Sequence, residues 1–181
     1  MFPVLIGLPV AGWAGRAHEH GVVRAEVGVE TGRITLSLEL PLDDLVGFER
    51  APRTDAERSA VAAALGKLQD GARQVRVDSA AGCGPAKVEL VAPPWGLGVA
   101  GVAAAASGTR ATAAKAGAAE HGDLEARYEL RCSSTDKATY LELDLFDSFA
   151  RIKRIEVQAV TPRGQMKLVL RRPGKRISLA R

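Results

Sequence analysis

Aromatic side chains make up only 4% of this chain, and histidine is scarcer still, with three among 181 residues. A core must therefore come from Val, Leu, Ile and Ala, which the 46% hydrophobic content can supply. The basic stretches lack interleaved aromatics, so the stacking platform of single-strand nucleic-acid binders is missing. Any nucleophilic triad would have to use His18, His20 or His121, and no Gly-x-Ser-x-Gly elbow accompanies them. A His-Glu-x-x-His helix, a phosphate loop and a calcium loop are also absent. Asp43 and Asp44 are sequence neighbours, which neither places them at a catalytic separation nor raises a pKa. The spacing Gly96, Gly98, Gly101 matches a dinucleotide fingerprint, but Pro93-Pro94-Trp95 precedes it and no βαβ pattern surrounds it. The chain is expected not to be an enzyme.

Residues 1–13 are almost wholly apolar, and Gly15 and Ala17 stand where a signal peptidase wants small residues. The segment is shorter than the roughly 20 residues a bilayer core requires. A positive start to this leader is lacking, so either the chain begins upstream of Met1 or the segment is a buried N-terminal strand. The reading adopted is a signal peptide over 1–17 and a single domain over 18–181, not membrane-spanning once the signal is removed. Cleavage after Ala17 would make His18 the N-terminus, joining an amine to its imidazole. Such nitrogen donors rank copper above zinc in intrinsic affinity.

Cysteine occurs twice, at Cys83 and Cys132, without metal-type spacing. In an oxidising compartment the two are expected to pair, stabilising the fold by about 4 kcal/mol in the chain-entropy model. Without export they would be two unrelated buried thiols.

Period-2 alternation marks strands at 20–31 and 33–40, joined through Glu30-Thr31-Gly32-Arg33 as an antiparallel hairpin that Pro41 ends. Thr54 and Glu57 have capping-box spacing, and Val61, Leu65 and Leu68 recur on one face, predicting the principal helix over 54–69. Short strands are expected at 74–78 and 86–91. Residues 95–119 are largely Ala and Gly with no side chains for a core, so 92–119 reads as a low-complexity loop. Strands resume at 124–130, 138–145, 155–160, 166–170 and 176–179, an expected antiparallel meander. The fold class is α+β: a mainly antiparallel β-sheet with one principal helix and a long Ala/Gly-rich loop.

Residues 151–181 carry ten Lys or Arg against the single acid Glu156, and the sequence pI is near 9.3. These cations alternate with apolar residues along strands, the pattern of a solvated sheet face partly paired with acidic strands. Nucleic acid is not expected as a partner.

His18 and His20 lie two apart before the first strand, where side chains on one face sit about 6–7 Å apart. Glu120-His121-Gly122 repeats the context of Glu19-His20-Gly21 ahead of another alternating run. If the two strands lie close, three imidazoles meet at one sheet end, a zinc-type donor set. The alternative is that all three are solvated.

The leader with Ala17-His18-Glu19-His20-Gly21, then Leu38-Glu39-Leu40-Pro41, Val46-Gly47-Phe48-Glu49, Ala51-Pro52, and His121-Gly122-Asp123 leading to Tyr128 and Cys132, resembles the ZrgA-type periplasmic zinc-binding proteins. The likeness continues through Leu145-Phe146 to Gln165. The resemblance implies an envelope protein that binds zinc and assists a zinc uptake system. It points to His18, His20 and His121 as ligands, with Glu19, Glu49 and Glu120 as carboxylate helpers. Members often have histidine where this chain has Arg50, a cation that would repel a metal if it faced the site. They also often carry a His-rich segment where 95–119 has none, so high-capacity storage is not expected.

The reading is a periplasmic, non-enzymatic zinc-binding accessory protein. Two alternatives accompany it: an envelope interaction protein using the basic strands around Arg171, Arg172, Lys175 and Arg176, and a copper chaperone using the His18 amine.

Overall fold

A computed structural model describes residues 19–98 and 122–180. The hairpin forms as its alternation requires: β1 (Val22–Glu30) and β2 (Arg33–Pro41) pair antiparallel, with Gly32 at φ 76° in the turn. A short helix α1 (Leu42–Val46) follows Pro41 and stops at Gly47, whose φ of 89° suits glycine. The principal helix α2 (Asp55–Gln69) begins where the Thr54 Oγ1 accepts the Glu57 N–H at 3.2 Å. It buries Val61, Ala64 and Leu68, one face at helical spacing.

After α3 (Gly71–Gln74) come β3 (Val75–Val77) and β4 (Lys87–Val91). Beyond 122 lie β5 (Asp123–Arg131), β6 (Tyr140–Leu143), α4 (Leu145–Ser148), β7 (Arg154–Thr161), β8 (Gly164–Arg171) and β9 (Arg176–Ser178). A six-stranded sheet has the order β4-β5-β2-β1-β7-β8, and a second sheet has the order β3-β6-β9. Among the described residues every strand pairing is antiparallel except β1 with β7, which is parallel.

The expected meander in the second half is therefore corrected. Among the described residues of this half only β7 and β8 form a hairpin; β6 leaves for the second sheet between β3 and β9, and β7 returns beside β1. Alternation fixes which face of a strand is buried but not which strand lies beside it.

One face of the large sheet carries Val23, Ala25 and Val27 of β1, Ile34, Leu36, Leu38 and Leu40 of β2, and Leu124, Ala126 and Tyr128 of β5, all buried. These join Leu68 of α2, Leu141 and Leu143 of β6, and Phe146 and Ile152 in one apolar cluster. The buried Tyr128 hydroxyl donates to the Leu68 carbonyl at 2.8 Å, tying the helix end to the sheet. The opposite face is polar, with Arg24 donating to Glu39 at 3.0 Å across the hairpin.

Cys83 and Cys132 form a disulfide. It lies where β5 has passed Arg131, whose register partner Arg33 starts β2, at the sheet end opposite Pro41. Within 92–98 the chain is seated, with Ala92 buried and Trp95 and Leu97 packed on the core; residues 99–119 of the expected loop fall outside the described residues, as does the leader over 1–17. Among the described residues no helix is long and apolar enough to cross a membrane.

Candidate metal centre

The register Pro41↔Asp123 sets the start of β5 beside the end of β2, while β1 starts on the other side of β2. Gly21 and Gly122, the glycines that follow His20 and His121, thus lie at one end of the sheet. The two strands do not pair; β2 lies between them, spacing them about 10 Å apart.

His20 belongs to a turn rather than to the strand expected over 20–31. The Val22 N–H donates to the Glu19 carbonyl at 3.1 Å, and Gly21 takes φ 85°. The turn is held from two sides. The Gly21 carbonyl accepts the Lys153 and Arg154 N–H groups at 2.8 and 3.0 Å, and its own N–H donates to both Asp44 carboxylate oxygens at 2.7 and 2.8 Å. A β-carbon at Gly21 would lie 2.8 Å from the Lys153 side chain.

From this turn the His20 Nε2 donates to Glu49 Oε1 at 2.7 Å, the imidazole being 51% exposed and the carboxylate 14%. That bond, with the neighbouring Asp43 and Asp44 charges, raises the His20 pKa above its ordinary value despite a smaller opposing effect of burial. Asp44 is only 2% exposed, and burial raises its carboxyl above the usual range against the Gly21 N–H, which favours the charge. Asp43 reaches Arg151 at 3.6 Å.

The main chain of Glu49 faces Gly122: a β-carbon there would stand 2.8 Å from the Glu49 carbonyl oxygen, and 2.9 Å from both Leu42 and Pro94. The Gly122 carbonyl accepts the Leu42 N–H at 3.0 Å. Glu49 thus touches both His-Gly motifs, the first through its side chain and the second through its backbone.

Of the residues singled out from the sequence, His20 and Glu49 come together. Glu19 turns away, its carboxylate taking two hydrogen bonds from Arg154 at 3.0 and 2.8 Å that hold its pKa down. His18, Glu120 and His121 lie outside the described residues. Among the described residues no group of three His, Cys, Asp or Glu is placed to hold a metal ion. The His20–Glu49 pair offers one nitrogen and one oxygen donor, both of which zinc accepts, and needs further ligands to complete four.

Arg50 does not face this pair. Its guanidinium donates to both Glu57 carboxylate oxygens at 2.9 and 2.8 Å and stacks over the Phe48 ring at 5.0 Å. Three of the C-terminal cations are also engaged: Arg172 donates to the Phe149, Ala150 and Ile152 carbonyls, Lys175 to Asp144, and Arg176 to Glu142. Sequence reasoning set Asp44 aside with its neighbour Asp43 and missed its hold on the Gly21 N–H; the pair of acids that follows the strand-ending Pro41 and Leu42 was the available signal.

No curated protein matches the chain. A sequence model described as ZrgA family zinc uptake protein matches residues 17–179. The match spans nearly the whole sequence and both His-Gly motifs, and the chain belongs to this family of zinc uptake proteins.

Proposed function

We propose that the protein is a periplasmic, non-enzymatic zinc-binding accessory that serves a zinc uptake system, with His20 and Glu49 contributing to its metal site. One observation carries this: Glu49 bonds His20 while its backbone packs against the glycine after His121. Two histidine-bearing segments about a hundred residues apart in sequence are thereby tied to one residue.

The chemistry follows from the donors. Zinc is cargo here, exchanged against the proton on the His20 ring. Tetrahedral bonds of about 2.0–2.2 Å put two ligand atoms roughly 3.4 Å apart, so the pair must open from its 2.7 Å contact to admit an ion. Imidazole and carboxylate donors fit zinc; His18 and His121 are the residues proposed to complete the set. The disulfide supports an oxidising compartment, hence export.

The test is a competitive titration with zinc and copper on protein isolated from the periplasm, its N-terminus read by mass spectrometry. One equivalent of zinc held against a weak chelator, lost on joint replacement of His18 and His20 by Ala, is the expected result. Stoichiometric zinc binding that survives this replacement would remove the site, and a preference for copper would make it a copper protein.

A further inference from the structure

We infer that Arg50 and Glu57 are positioning residues that hold Glu49 against His20. This rests on the reading of Glu49 as part of the zinc site. Glu49 sits in a segment, 47–54, that is neither helix nor strand and begins at the end of α1. Such a segment loses conformational entropy on ordering and needs fixed points if a carboxylate on it is to stay in place. The fixed point is the first turn of α2. Glu57 receives both Arg50 guanidinium hydrogen bonds and the Arg53 N–H at 2.6 Å, while its own N–H is capped by Thr54.

The two neighbours of Glu49 are locked together by the Arg50–Phe48 stack, so Glu49 is left facing His20. Fork-to-carboxylate geometry is specific in direction as well as strong. The Glu57 carboxyl is held down at about 2 by Arg50 first and the Arg53 N–H second, so the latch persists through the pH range in which histidines bind metal. Arg50 thereby changes meaning. On sequence it is a charge that would repel a cation, whereas in the structure Glu57 neutralises it and it acts as a strut.

The two meanings differ in sign, which makes Arg50→Gln the decisive variant. A repelling charge, once removed, would let zinc bind more tightly. A strut, once removed, frees Glu49 and weakens zinc, by about tenfold as for other partners that orient metal ligands. Asp55→Asn serves as control, because it removes an acid from the same first turn of α2 whose partner is Arg58 rather than Arg50 or Glu57, and should leave zinc affinity within about twofold.

The same variants are compared without zinc by the ring-nitrogen NMR signals of His20, assigned through His20→Gln. Loss of the hydrogen-bonded Nε2 signature in Arg50→Gln but not in Asp55→Asn is expected. Zinc affinity in Arg50→Gln equal to or tighter than that of the parent overturns the inference. If the parent itself binds no zinc, the zinc reading falls, and the NMR comparison still decides: an unchanged His20 signature in Arg50→Gln overturns the positioning role, and its loss upholds it.

Discussion

His20 and Glu49, 29 residues apart, share a 2.7 Å hydrogen bond that makes the imidazole harder to deprotonate than a free histidine. A folded-state pKa above the unfolded value means that the pair stabilises the fold fully below the unfolded value of about 6.5 and loses that contribution as pH rises through the folded pKa. With the ring half exposed, solvent screening keeps the contribution small. Glu49→Gln should bring the His20 pKa back down toward 6.5, read by NMR titration of the ring protons. An unchanged pKa would mean that Asp43 and Asp44, not Glu49, govern it.

The same proton competes with zinc. Zinc affinity should therefore keep rising with pH beyond the value at which an ordinary histidine is already neutral, and the Glu49→Gln protein should reach its plateau at lower pH. Competition titrations at several pH values would show it, and a profile flat above pH 6 would exclude His20 as a ligand.

Gly122 leaves no room for a side chain. A β-carbon would meet the Glu49 carbonyl, Leu42 and Pro94 at 2.8–2.9 Å, two of them on backbone or ring atoms that cannot swing aside. Gly122→Ala should cost about 1–3 kcal/mol in a urea melt. It should also disturb the His20 ring signals from across β2, which a substitution at the distant glycine Gly66, with nothing within 4 Å, should not.

Local features were legible in the sequence and pairings between distant segments were not. Thr54 and Glu57 announced the start of α2, because a helix cap is decided within four residues. The turn at Thr31-Gly32 announced the first hairpin for the same reason. Nothing local in β7 says that it will lie parallel to β1, since that choice is made by burying Val157 and Ala159 in the shared core. The site divides in the same way. His20 stood out as a rare residue in a repeated context, and Glu49 entered only through family resemblance. Asp44 was passed over, because its role depends on a Gly21 N–H 23 residues away.

Asp44 offers a sharp test of that role. Asp44→Ala leaves the Gly21 N–H without its acceptor and should cost about 1–3 kcal/mol. Asp44→Asn keeps an acceptor and removes a buried charge. With the folded pKa raised by burial, ionising Asp44 costs the native state, a cost that appears as pH rises from the unfolded value through the folded one. The stability of Asp44→Asn relative to the parent should thus be higher at pH 7 than at pH 4. The reverse trend in urea melts would show that the carboxylate is stabilised by the Gly21 N–H more than it is penalised by burial.

The disulfide separates stability from metal chemistry. It spans 49 residues between Cys83 and Cys132 and closes the sheet at the end away from His20. Replacing both cysteines by Ala should lower stability by about 2–4 kcal/mol, because the unfolded chain regains the freedom of that loop. Zinc affinity, measured well below the lowered melting point, should stay within about twofold of the parent, since the His20 turn is held by Asp44, Lys153 and Arg154 at the other end of the sheet. A large fall in zinc affinity in a folded double variant would mean that the cysteines set the geometry of the site through β5, and the placement of Gly122 against Glu49 would be the contact to suspect.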